Sequence, residues 1–319
     1  MTRRNTVGFI YFGTVLMSLM LRVASALDIY SALGISDSDA FYSCTVQILI
    51  FGVLPLSLYF LTVGREQGPR AFVKDFGVVK VSAKNCLYVL ILAICMIIIS
   101  QAVSYVWQSV LMMMGYTRIP SSTDYADIGV LIRELALVAL LPALFEEITH
   151  RGLIFAGYRE CGWKFVVISA IYFSLMHQNI VQTGYTFFAG AVMALAMYYT
   201  NSIFPGIFMH FLNNAVSVIS GYTSQNGGIF SFISIIEDWI YGSVAGMGVG
   251  AAVTVVCVAL MCATFARMRK SAVKDGIING EPFAKNPLSA PLKKDVPFIA
   301  TVATGIVATL FSFAWGLMR

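Results

Sequence analysis

Long apolar runs, separated by short polar and charged stretches, make up most of this 319-residue chain. Nine of the runs approach the ~20 residues that carry a helix across about 30 Å of hydrocarbon. They are 7–26, 42–63, 86–115, 128–158, 163–180, 183–200, 203–220, 243–266 and 297–318, the fifth to seventh being the shortest. The pattern predicts an all-α fold, a polytopic transmembrane helical bundle of about nine spans. A further apolar stretch, 229–241, is too short to span and reads as interfacial or re-entrant. The first run follows Thr2-Arg3-Arg4 and shows no convincing small-residue cleavage site, so it is expected to be a retained span. No internal repeat is visible, which argues against transporter folds built from duplicated halves.

Composition agrees with a chain dissolved in lipid. Hydrophobic residues are 58% and charged residues only 12%, against about 45–50% and about 25% in soluble domains. The net charge of +5 comes from basic residues lying mainly between the apolar runs. No nucleic-acid recognition motif accompanies them. They are topology signals and contacts for membrane lipids. Arg3 and Arg4, the group Arg65, Arg70, Lys74, Lys80 and Lys84, the pair Arg159 and Lys164, and the loop from Arg267 to Lys294 fall on one side if the spans alternate. The other side holds Arg118 and Arg319 with Asp28, Asp37, Asp39, Asp124, Asp127, Glu237 and Asp238. The excess of Lys and Arg predicts a cytoplasmic N-terminus and an external C-terminus. The one substantial linker, 267–296, is basic and broken by Pro282, Pro287 and Pro291. Cys44, Cys86, Cys95, Cys161, Cys257 and Cys262 form no CxxC pair and imply no disulfide framework.

An ionisable group at mid-membrane costs about 2.5–3.5 kcal/mol on insertion scales, so each one is a functional suspect. The candidates are Arg22, Arg133, Glu134, Glu146, Glu147, His150, Arg151, His177 and His210. Arg22, Arg133 and Glu134 lie near span ends and read as structural. Glu147 and Arg151 are four apart, so they face each other on a helix and can neutralise one another. Glu146 points about 100° away from that pair, which leaves its carboxylate available as a general base. Pro142, one turn earlier, can free backbone groups near this point. Phe173 and His177 share a helical face, as do His210 and Asn214. An imidazole and an amide on one face can donate to a developing oxyanion or bind a metal. Each element alone is weak; a carboxylate pair, a His and a His/Asn pair within about 70 residues of one apolar region carry the weight.

Glu146-Glu147-Ile-Thr-His-Arg151 fits EExxxR, Phe173-Ser-Leu-Met-His177 fits FxxxH, and His210-Phe-Leu-Asn-Asn214 fits HxxxN. In this order and spacing the chain resembles the CPBP family, also called the CAAX-protease and bacteriocin-processing or Abi family, over roughly 128–220. The resemblance implies a catalytic core at 128–220, between N-terminal spans at 1–127 and C-terminal spans at 221–319. It implies an intramembrane endopeptidase whose site opens toward the cytoplasm and whose partner is a peptide or protein with a hydrophobic or lipidated segment. Carried over by motif position, Glu146 activates water with help from His177, and His210 and Asn214 stabilise the oxyanion. Glu147 and Arg151 hold the constellation, and Phe173 packs at its wall; nothing carries over to His150. The family has been described both as metalloproteases and as glutamate-dependent proteases. Glu146, His177 and His210 would make a His₂Glu zinc set, but HExxH is absent, and Asn214 suits an oxyanion donor better than a ligand. The favoured reading has no cofactor, with zinc as the alternative. Two other functions compete: a non-catalytic bacteriocin-immunity or regulatory protein, and a proton-coupled transporter. Substrate identity and oligomeric state are not legible.

Overall fold

The computed structural model describes residues 2–66, 68–117, 123–278 and 294–318. Arg118, Arg319, Lys285, Lys293, Pro282, Pro287 and Pro291 lie outside the described residues. Among the described residues the fold is all-helical, without a strand.

The principal helices are α1 (Arg3–Ala26), α2 (Ser38–Thr62), α3 (Ala83–Met113), α4 (Ile128–Cys161), α5 (Lys164–Met176), α6 (Ile180–Thr200), α7 (Phe204–Asn226), α8 (Ser231–Gly242), α9 (Val244–Lys274) and α10 (Val296–Leu317). Their starts are written in the sequence. Asp37, Ser82, Asp127, Asn179, Ser243 and Asp295 each accept a backbone N–H in the first turn of the helix that follows, satisfying donors that have no intrahelical partner.

Seven helices, α1 to α4, α6, α9 and α10, are long and apolar enough to cross a membrane. The chain is an integral membrane protein, but two of the expected spans fall short of that standard. Helix α5 is apolar but has 13 residues, about 20 Å at 1.5 Å per residue. Helix α7 has 23 residues, but His210, Asn213, Asn214, Ser217 and Ser220 dilute its hydrophobicity. Residues 231–242 form the 12-residue α8. Ile235 and Trp239 are exposed there, while the Glu237 carboxylate accepts from Gln101 Nε2 at 3.0 Å and Ser220 Oγ at 2.8 Å.

Polar cross-links sort the helix ends into two sets. At one end Arg3 meets Asp75 and Tyr59. There Arg4 Nε and the Tyr158 hydroxyl converge on Asp295 Oδ2 at 3.0 and 3.2 Å, and Ile203 N donates to Gly77 O at 2.9 Å. At the other end Arg133 pairs with Asp37, Thr117 N donates to Gly316 O, and Asn226 Nδ2 donates to Tyr125 O. Successive helices therefore run in alternating directions, α8 lying across the second end. Residues 3–4 and 295 share one end; residues 117 and 316 share the other.

Two helices are distorted in the same way. Helix α2 contains a π-helical segment, Thr45–Val53, followed by Pro55. Helix α4 contains another, Leu135–Leu140, followed by Pro142. A regular α-helix would pair the carbonyls of Phe51 and Val138 with the N–H groups of residues 55 and 142, which proline lacks. Side chains from neighbouring helices take their place: Thr149 Oγ1 donates to Phe51 O at 2.6 Å, and Asn214 Nδ2 donates to Val138 O at 2.9 Å. A third π segment, Ile148–Leu153, runs through the EExxxR stretch of α4.

Asp295 is fully buried and joins α1, α4 and α10. Replacing one partner of a buried ionic contact leaves the others uncompensated, at a cost of about 3 kcal/mol. Asp295→Ala is expected to lower the thermal unfolding midpoint in detergent clearly. Asp275→Ala, at an exposed position near the end of α9, is expected to leave it unchanged.

Candidate active site

The fourth helix supplies two adjacent carboxylates with opposite surroundings. Glu147 is fully buried. Its Oε1 accepts from Arg151 Nη1 at 2.6 Å and from His210 Nδ1 at 2.9 Å. Arg151 is also fully buried; its Nη2 reaches Gly190 O at 3.3 Å, and its guanidinium carbon sits 4.2 Å from the centre of the Phe173 ring. Helix α7 can approach this cluster because residue 206 is glycine. A Cβ there would collide with Glu147 Oε2.

Glu146 is 7% exposed. Its Oε1 accepts from Gln47 Nε2 at 2.8 Å, and its buried Oε2 has no hydrogen-bond partner. No cation pairs with it among the described residues. Gln47 lies in the π segment of α2. A single glutamine in an apolar run carries no motif, and the sequence analysis did not single it out. The clue would have been that Gln47 is a polar residue inside a span.

Helix α5 ends at His177. Gln178 takes a left-handed conformation with φ 50°, an uncommon backbone for a residue other than glycine, and turns the chain toward α6. His177 Nδ1 lies 2.7 Å from Phe173 O. A carbonyl only accepts, so Nδ1 carries hydrogen and the neutral ring keeps its lone pair on Nε2. The Glu147 carboxylate fixes the same tautomer on His210. Phe173 is the hub of these rings. His150, His177 and His210 each pack edge-on against it, with centroids 5.1, 4.9 and 5.5 Å away. His150 itself is fully buried, and its Nδ1 lies 2.9 Å from the Tyr11 hydroxyl.

Glu146, His177, His210 and Asn214 line one cavity of about 1900 Å³, together with Gln47, Gln178 and Phe173. Glu147, Arg151 and His150 stand behind its wall. Asn214 uses one amide hydrogen on Val138 O and retains the other. Arg22, from the last turns of α1, also lines the cavity. No group of three His, Cys, Asp or Glu side chains among the described residues is gathered closely enough to hold a metal ion. The set Glu146, His177 and His210 therefore does not form a ligand cluster: Glu146 is engaged by Gln47, and the carboxylate on His210 is Glu147.

Residues 129–216 match the family model described as Rce1-like, type II CAAX prenyl endopeptidase. The matched stretch contains Glu146, Glu147, Arg151, Phe173, His177, His210 and Asn214. Gln47 and the cavity walls from α1, α3 and α10 lie outside it. No curated protein and no solved structure matches the chain.

The Arg151–Glu147 pair generates a stability prediction. Glu147→Gln leaves a buried guanidinium without its counter-charge, at a cost of about 3–5 kcal/mol. The double variant Glu147→Leu/Arg151→Met removes both charges and is expected to recover most of that loss. Thermal unfolding of the purified variants measures both. Equal midpoints for Glu147→Gln and the unmodified chain would contradict the assignment.

Proposed function

We propose that this protein is an intramembrane endopeptidase that cleaves a peptide bond with a water molecule activated by Glu146. The observation that carries the reading is the arrangement around one cavity of a carboxylate without an ion-pair partner among the described residues, two imidazoles of matching tautomer and an amide with a spare N–H. The Rce1-like match over the same residues supports it.

In this reading Gln47 holds Glu146 Oε1, leaving Oε2 to take a proton from water. His177 presents Nε2 as a second acceptor for that water. The resulting hydroxide attacks the carbonyl carbon of the scissile bond. The free N–H of Asn214 donates to the oxyanion as it develops, the usual function of a preorganised amide. With Nδ1 donating to Glu147, His210 can donate from Nε2 only when the ring is doubly protonated, and Glu147 faces that charge directly. The proton held by Glu146 or His177 then passes to the leaving amine. No step passes through a metal. Glu147, Arg151 and Phe173 position the reacting groups.

The test is cleavage of a fluorogenic peptide panel by purified protein, with and without a strong chelator. Glu146→Gln and His177→Ala are each expected to lower kcat by about 10³-fold while insertion and unfolding midpoint stay unchanged. Gln47→Leu removes one hydrogen bond to the base, and a loss of about tenfold in kcat is expected. Cleavage is expected to persist in chelator. Full activity in Glu146→Gln would remove the mechanism. Activity lost in chelator and restored by zinc would replace it with a metal-dependent one.

A further inference from the structure

We infer that the catalytic cavity is entered from the extracytoplasmic side of the membrane, so that its substrate is a peptide or polypeptide segment presented there with an apolar end in the bilayer. The inference rests on the proteolytic reading for the word substrate, but not for the direction of access.

The cavity is placed asymmetrically along the bundle. Its lining begins at Leu19 on α1 and continues to Leu27, past the end of that helix; no earlier residue of α1 contributes. On α3 it runs from Met96 to Gln108 and on to Tyr116, and on α10 from Ala303 to Trp315. On α6, which runs the opposite way, it takes residues from the first two-thirds, Val181 to Met193. These segments all lie toward the end of the bundle where Thr117 meets Gly316, away from the end where Arg4 meets Asp295. Leu27 and Trp315 at the rim are exposed, at 67% and 48%.

The charges are sorted between the same two ends. Arg65, Lys84, Arg159, Lys164 and Lys270 lie in or beside loops at the Arg4–Asp295 end. The end that the cavity reaches carries Asp28, Asp37, Asp39, Asp124, Asp127 and Asp238, and its Arg133 is paired with Asp37. The positive-inside rule acts on short loops near span ends, which describes these, and it puts the basic end in the cytoplasm. The expected cytoplasmic N-terminus and the cytoplasmic opening implied by family resemblance cannot both hold in this fold. Charge decides for the first, and the cavity then faces outward. Its apolar rim suits a chain end that partitions into lipid beside the mouth.

Single cysteines report access independently of catalysis. In full-length protein whose native cysteines are replaced by alanine, Ser217→Cys places a thiol in the cavity and Lys84→Cys one at the basic end. A membrane-impermeant maleimide added to intact bacterial cells expressing each variant is expected to modify the cavity thiol roughly tenfold or more faster than the basic-end thiol, as the charge-derived orientation requires. Opening the cells should make the two comparable. The reverse order, or a cavity thiol protected until the membrane is opened, would overturn the inference. Should the cysteine-free background fail to insert, the unmodified protein in liposomes supplies the readout. A fluorogenic peptide is added outside after trypsin has cut every molecule whose basic loops face out. Persisting cleavage is expected; cleavage abolished by trypsin would overturn the inference. Absence of cleavage in detergent would instead count against the proteolytic reading, while the thiol labelling still decides the direction of access.

Discussion

A guanidinium with no exposed surface, Arg151, sets the terms for the rest of this molecule. A charge in a low-dielectric interior costs several kcal/mol unless its partners are placed around it. Here they come from four helices. Glu147 one turn earlier on α4 supplies the counter-charge, Gly190 on α6 supplies a carbonyl, and Phe173 on α5 supplies the face of its ring. Helix α7 joins through His210, which binds the same carboxylate oxygen as Arg151. Satisfying one buried cation therefore fixes the relative position of the helices that carry the proposed catalytic groups. The absence of a side chain at Gly206 is part of the same constraint, because any larger residue would displace Glu147.

The two neighbouring glutamates show how one helix can give a single charge pattern two uses. Successive residues on a helix point about 100° apart, so Glu146 and Glu147 cannot share surroundings. Glu147 turns into the protein, meets Arg151 and is consumed by structure. Glu146 turns into the cavity and meets only the amide of Gln47, a neutral donor that orients the carboxylate without neutralising it. A second cation in place of Gln47 would hold Glu146 as a salt bridge and blunt it as a base. The proposed chemistry depends as much on this neutral partner as on the carboxylate.

The features readable in advance were those carried by local spacing. Glu147 and Arg151 four residues apart, Phe173 and His177, and His210 and Asn214 each define a helical face, and the structure sets each pair on one face. Pro142 signalled freed backbone groups, though not what would bind them. The features that could not be read depend on contacts between distant segments. Gln47 lies 99 residues from Glu146 and has no pattern of its own. Seven of the nine expected spans meet the measure of length and hydropathy, and α5 and α7 do not, the first because it is short and the second because polar residues interrupt it. The placement of the cavity along the bundle was also hidden, since it depends on which helix segments the fold brings together.

The prolines connect the distortion of the helices to the site. In lipid, a carbonyl without a donor has no water to turn to, so a proline inside a span creates a demand that some polar side chain must meet. Helix α4 makes that demand at Val138, two turns before Glu146, and Asn214 meets it. Helix α2 makes it at Phe51, one turn beyond Gln47, and Thr149 meets it from within the EExxxR stretch. Each freed carbonyl thus draws a second helix to the height of the site and fixes the side chain that binds it. An amide has two hydrogens where a hydroxyl has one. Thr149 is spent on its carbonyl, whereas Asn214 is anchored by one hydrogen and still offers the other to the cavity. In the proposed mechanism that second hydrogen is the one offered to the oxyanion, a part that a hydroxyl spent on Val138 O could not play.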